Sequence, residues 1–317
     1  MSFIHVMMMM GSKLSSTASQ SRYFLQALCI VCLIITEAQS LSGIPSARPR
    51  IPILQYHNNW VAVNKPAGLS THAGRNKKLS TLKSRLRRQL ARKVFPVHRL
   101  DHRTSGLILF AFDSDTCGTL HEALTAERTT KEYIALLRGE WWHASRVVMV
   151  DQPLLMGDGI TKEAVTKFTL LASQPKSEDS MAASLVLCQP LTGRTHQIRR
   201  HANRHLGQPI LGDTQHGDSK VNRWWRQKKG LDRLALHALS IKGDGVSCVA
   251  PVSPELRDVL KAEIWLWEVA VRQEPRLLLD DVDEQGWTHG RCYRNRTKVR
   301  TVVESSKHEP FEDEERQ

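Results

Sequence analysis

Acid is scarce in one part of this chain. From Arg75 to Arg103 eleven Lys or Arg accompany a single carboxylate, Asp101, and no acid precedes Glu37. Cysteine is sparse as well, at six in 317 residues. Cys117, Cys188, Cys248 and Cys292 are scattered without metal-ligand spacing, and Cys29 and Cys32 lie in an apolar run where Cys acts as a small hydrophobe. A disulfide scaffold is not expected in a chain this long, and a reducing compartment is. The run Phe24 to Ile35 has twelve residues, short of the roughly 20 that a membrane span needs. What the chain does have is positive charge. Its 45 Lys and Arg against 32 acids leave a net charge of +13 and a pI near 9.7. Such a balance favours a polyanionic partner, nucleic acid first and an anionic membrane surface second.

Residues 1–50 read as an address. A basic start, a short apolar block and small residues near Ala38-Gln39-Ser40 match a secretory-type signal. The Ser-rich, Arg-containing, acid-poor flanks match an organellar transit peptide equally well, and the two together suit a two-step route into a plastid. A mitochondrial destination stays open, and so does a membrane anchor.

The folded part is expected to begin near Ile51. Ile53 to Gln55 and Trp60 to Val63 flank His57-Asn58-Asn59, the pattern of a hairpin across a polar turn. Leu82, Leu86 and Leu90 recur every four residues among arginines and lysines, which predicts an amphipathic basic helix. Its charged face is either simply solvated or a contact to a nucleic-acid backbone. Apolar Leu107 to Phe112 predicts a buried strand, and Asp113-Ser114-Asp115 offers caps for a helix to about Glu127. Strands are expected at Thr130–Leu137, Ser184–Cys188 and Arg233–Ala238. A polar helix should end near Leu206-Gly207. The stretch from Trp141 to about Ser180 reads as peripheral strands and loops. Acid-rich, apolar-poor segments after Gln273 predict a charged tail over 274–317.

A lone acid among cations is either an ion-pair partner or a reacting group held ionised by its neighbours. The words around Asp101 bear on that choice. His98-Arg99-Leu100-Asp101 followed by Thr104-Ser105-Gly106 resembles the catalytic motif of the RluA-type pseudouridine synthases. Asn64-Lys65-Pro66-Ala67-Gly68 resembles that family's first signature, Thr192-Gly193-Arg194-Thr195-His196-Gln197-Ile198-Arg199 its next, and Arg233 to Ala238 its last. Thr214 to Asp218 with Asn222-Arg223, together with Arg199-Arg200-His201, is similar to the tRNA pseudouridine synthase C branch.

The resemblance implies a single catalytic domain over 51–273 of the α+β class. It would hold a bent, mixed, mostly antiparallel sheet with flanking helices and a central basic cleft. It implies isomerisation of a uridine in RNA, in tRNA first and ribosomal RNA as the alternative, by a monomer without membrane association. Asp101 would be the catalytic carboxylate, paired with and kept ionised by Arg199. Tyr133, at the position of the tyrosine in the family's Lys-x-Tyr strand (Lys131-Glu132-Tyr133), would stack on the target base and its hydroxyl would assist proton removal at C5; Leu236 would pack against the base, and Arg99 would enter the space left by the everted nucleotide. Thr104 and Arg194 complete the implied substrate contacts. No cofactor is implied, because the isomerisation has no net redox change and consumes no water. No metal is expected either, since His201 and His205 lack a Glu at Ala202 and sit among arginines. A second class of protein stays in view, a non-catalytic RNA binder that kept the fold.

Overall fold

The computed structural model describes residues 49–73 and 80–279. The expected address and most of the expected tail lie outside the described residues, as do Arg75, Lys77 and Lys78.

The chain enters the fold at Ile51, which is buried and exchanges two hydrogen bonds with the side chain of Gln89. Strands β1 (Ile53–Tyr56) and β2 (Trp60–Lys65) form the antiparallel hairpin that the polar turn predicts. Helix α1 (Leu82–Leu90) starts at Thr81, whose side chain and that of Ser84 cap each other's backbone amides. Leu82 and Leu86 face inward, and Arg87 and Arg88 stand at the negative end of the helix dipole. The short β3 (Phe95–Pro96) then leads into β4 (Ser105–Ala111), buried along its whole length. Helix α2 (Ser114–Thr125) is capped by Asp113, as the sequence indicates.

Strand β5 (Thr130–Arg138) follows, then β6 (Val147–Asp151), the small ribbon β7 (Leu154–Leu155) and β8 (Thr161–Lys162), and β9 (Val165–Gln174). Next come β10 (Ala183–Pro190), α3 (Gln197–Arg204), α4 (Ser219–Lys229), β11 (Leu236–Gly243) and β12 (Val246–Val249). Helices α5 (Pro254–Ala262) and α6 (Ile264–Gln273) and a 3-10 turn, Pro275–Leu278, close the described chain.

Ten strands make one sheet in the order β1-β2-β4-β11-β5-β10-β9-β6, with β3 on β4 and β12 on β11. All its pairs are antiparallel except β4 with β11, where Ser105 lies beside His237 and Gly106 beside Ala238. The mixed, mostly antiparallel α+β architecture implied by the resemblance is the one observed. Strand β4 reads as a continuous apolar run because helices cover both its faces. Ile108, Phe110 and Phe112 pack with α1, and Leu107, Leu109 and Ala111 pack with α2.

The parallel pair depends on one glycine. Gly106 has φ +111°, and a Cβ there would stand 2.2 Å from the carbonyl oxygen of Ala238. Gly106→Ala is thus expected to cost roughly 2–4 kcal/mol through backbone strain and overpacking. A urea-denaturation midpoint unchanged from the parent protein would contradict this.

The tail boundary needs correction. Residues 274–279, assigned to the tail by composition, belong to the packed domain. Leu277 is fully buried, and Arg276 bonds Glu132 on β5 and, through both Nε and Nη2, Glu274. Glu132 lies 144 residues from Arg276 in sequence, so no local pattern announces the pairing.

Candidate active site

The loop that carries Asp101 is held from beneath by the first signature. Lys65, at the end of β2, is fully buried and donates to the carbonyls of Leu69 at 2.8 Å, Pro66 at 3.0 Å and His102 at 3.2 Å. The amide of Gly68 donates to the same His102 carbonyl at 2.9 Å. Burial, helped by repulsion from Arg233 and opposed by Asp101, pushes the Lys65 ammonium down to about 7. Thr71 adds a reciprocal bond pair to the backbone of Leu100. Together these contacts fix the residues on either side of Asp101.

Arg233 fixes the far end of the loop. Its guanidinium is buried with no carboxylate in salt-bridge contact among the described residues, and it donates to Ser105 Oγ and Ser253 Oγ, each at 2.7 Å. Ser105 also meets His237 Nδ1 at 2.8 Å. Burial first, and then a nearby cation in each case, drops His98 and His237 to about 3. His98, neutral, accepts from the Leu109 amide. These two histidines are structural, as is His201, whose nitrogens meet Thr166 Oγ1 and the Gln152 carbonyl. Among the described residues no cluster of three or more His, Cys, Asp or Glu is placed to hold a metal.

The opposite wall comes from the turn before α3. Gln197 Oε1 accepts from Thr192 Oγ1 at 2.7 Å and from the Arg194 amide at 2.9 Å, while its Nε2 donates to Val165 and Thr166. That anchorage aims Arg199 across the cleft. Arg199 grips Asp213 with two bonds of 2.7 and 2.9 Å, donates to Gln215 Oε1 at 2.9 Å, and reaches Asp101 Oδ2 at 3.1 Å. Burial works against charge on Asp213, yet Arg199 and the amides of Gln215 and His216 hold its carboxyl below the ordinary range. A bidentate pair fixes a guanidinium plane as a single bond does not.

All seven residues singled out in the sequence line one pocket. Asp101 lines it with 23% of its side chain exposed. Arg99 is exposed, Leu236 is buried, and Arg194 is half-buried with Nε on the Glu163 carbonyl. Tyr133 is half-buried, and burial followed by the charge of Asp101 pushes its phenol up to about 12. Thr104 Oγ1 is buried with no hydrogen-bond partner among the described residues, which leaves it free to bond a ligand.

Sequence reasoning misses the supporting groups. Asp213 and Gln215 stand in the sequence only within stretches that fit the family, Pro209 to Asp213 and Thr214 to Asp218, with no role of their own, although Asp213 is the first acid after a run of basic residues beginning at Arg194. Lys65 and Arg233 stand in the sequence only as parts of signatures.

A family model described as RNA pseudouridylate synthase matches residues 59–204. The tRNA pseudouridine synthase C of Haemophilus ducreyi is 38% identical over 205 residues, covering 59% of this chain and 83% of that one. The ribosomal large subunit pseudouridine synthase C of Escherichia coli K12 is 35% identical over 222 residues, 66% of this chain and 69% of that one. Among solved structures, human RNA Pseudouridylate Synthase Domain Containing 4 superimposes with a TM-score of 0.54 at 25% identity, covering 66% of this chain and 92% of that one. The chain belongs to the RluA family of RNA pseudouridylate synthases and is an RNA uridine isomerase.

Proposed function

We propose that the protein isomerises a uridine in tRNA and that Asp101 is the carboxylate that acts at the ribose. The carrying observation is the connected row Asp101–Arg199–Asp213, whose first two members line the cleft and whose third is buried behind them. The reaction breaks the bond between uracil N1 and ribose C1′, turns the base within the site and rejoins it through C5. Those atoms are unreachable in a stacked duplex, so the nucleotide must be everted into a pocket. Tyr133 offers a flat face, Leu236 an apolar one, and the Thr104 hydroxyl an unspent hydrogen bond to the nucleotide. Arg99 is available to fill the gap left in the stack. Asp101 then stands beside the sugar as nucleophile or charge stabiliser, with Arg199 fixing its direction.

The tRNA reading rests on Thr214 to Asp218 and on the likeness to the Haemophilus ducreyi enzyme. A ribosomal substrate is the alternative, supported by the similar identity to the Escherichia coli enzyme. Incubating the protein separately with tRNA and ribosomal RNA lacking pseudouridine, then mapping the product, decides between them. Modification confined to ribosomal RNA would overturn the tRNA reading. We propose further that the protein acts as a monomer in an organelle, after loss of its first fifty or so residues. Fractionation of tagged full-length chain tests the location.

The basic corner of α1 should track the RNA backbone. Arg87, Arg88, Arg92 and Lys93 cluster there, and α1 packs on the same face of β4 as Leu100 and Tyr133 of the cleft. Replacing Arg87 and Arg88 by Gln is expected to weaken binding and lower the slope of log affinity against log salt by about 1 for every phosphate left unneutralised. The rate at saturating protein should stay unchanged. An unchanged slope would assign this face to solvent.

A further inference from the structure

The reaction has a proton to place. Uridine carries hydrogen on C5 and none on N1, whereas pseudouridine carries hydrogen on N1 and none on C5. Once C5 bonds to C1′, it holds both the ribose and its original hydrogen. A base must then take that proton, the C–H electron pair restores the C5=C6 double bond, and N1 gains a proton from solvent. Tyr133 is poorly suited to accept it, because a phenol raised to about 12 already carries its proton at neutral pH. Asp101 is engaged by Arg199 at 3.1 Å and is the group assigned to the sugar.

We infer that His196 is the base that removes the C5 proton and that His216 passes the proton outward. His196 lines the pocket, and its Nε2 lies 3.7 Å from Asp101 Oδ2, on the same edge of the cleft. Its other nitrogen, Nδ1, lies 3.3 Å from His216 Nε2. A contact of that kind needs one N–H and one lone pair. Proton removal by Nε2 requires the tautomer in which Nδ1–H donates to His216, which leaves the Nε2 lone pair on the cleft side.

The backbone supports this orientation. His196 has φ +53°, and it shares positive φ only with Ala91 among the described non-glycine residues. It occupies the position before α3, yet its side chain makes no capping bond there. Strain of about 1–3 kcal/mol is thus retained without a helix cap in return, a pattern common where a side chain must be aimed at a site.

The surroundings suit an acceptor of protons. Burial lowers His196 below the usual imidazole value; Asp101 and Asp213 oppose this, and Arg199 and Arg200 reinforce it. His216 is shifted the same way, by burial first, with Asp213 opposing and Arg199, His196 and Arg204 reinforcing. Both rings are therefore neutral at neutral pH and free to take a proton in turn. His216 is half-exposed, so the relay ends at solvent.

This inference rests on the isomerase reading, and the experiment separates the two. Single-turnover rates at saturating protein are measured on substrate RNA with protium or deuterium at uracil C5. The parent protein, His196→Asn and His216→Gln are compared. Asn tolerates the left-handed backbone at 196, so folding is expected to survive. His196→Asn should slow product formation roughly 10²–10⁴-fold, the usual yield of a positioned base. RNA affinity should be retained, and the deuterium effect should rise to severalfold as proton removal becomes limiting. His216→Gln should give a smaller slowing with the same rise. A slow His196→Asn protein with no added deuterium effect would overturn the inference and leave His196 as a positioning residue for Asp101. Product from the parent protein reports on the isomerase activity itself, so failure of that activity is read independently.

Discussion

Asp101→Asn is expected to abolish pseudouridine formation while leaving RNA affinity within a few-fold of the parent. The substitution removes the negative charge and adds a poor donor, yet keeps an oxygen that can accept from Arg199 Nη1, now at 3.1 Å. The loop itself should hold, because Lys65, Gly68, Thr71 and Arg233 anchor its flanks without using the Asp101 side chain. Losing a group that bonds or stabilises charge at the reacting sugar costs roughly four orders of magnitude or more. Tritium release from C5-labelled RNA measures the rate, and filter binding measures affinity. Residual isomerisation within tenfold of the parent would sink the assignment of Asp101. Loss of binding along with activity would instead give Asp101 a role in holding the RNA or the loop rather than in the chemical step.

Asp213→Asn should bring the second large effect, on stability and on rate together. Arg199 and Asp213 are 7% and 1% exposed, and their bidentate pair is the tightest fixed point of the site. Leaving a buried guanidinium without its carboxylate costs about 3–5 kcal/mol. Arg199 would also lose its aim at Asp101, so the rate should drop by roughly 10–100-fold, as when the support of a functional group is removed. The pH dependence has a defined sign. The folded-state value of Asp213 lies below its ordinary 3.8. Its contribution is therefore complete above that range and is lost as pH falls through the lower folded value. Urea midpoints followed into acid should show a steep fall in the parent and a shallower one in Asp213→Asn. Parallel curves would mean that the pair contributes nothing to folding.

Much of the fold can be read from local punctuation. Asp113 caps α2, Leu82 and Leu86 mark the buried side of α1, and the uninterrupted run Leu107 to Phe112 forms the doubly covered β4. In each, the signal and the structure lie within one turn or one strand. The region from Trp141 to Ser180 is less legible because β6, β7 and β8 are short and largely exposed, so period-two patterning is weak there. The packed segment 274–279 escapes because its partners, Glu132 and Ser240, are far away in sequence. The site divides the same way. Signature words mark Asp101, Tyr133 and Arg199, whereas Lys65, Asp213 and Arg233 act through carbonyls and guanidinium forks that no spacing reveals.

The two-residue parallel junction of β4 with β11 also sets a timetable for synthesis. Ser105 and His237 are 132 positions apart, and Arg233 must reach back 128 positions to brace the same serine. Closing so long a loop is slow and comes late, since its entropy must be met before the contact rewards it. A growing chain therefore carries the Asp101 loop anchored by Lys65, Gly68 and Thr71 but without its second brace until Arg233 has been made. Truncated products ending before Leu234 would retain much of the basic surface but no organised centre, and would occupy RNA without altering it.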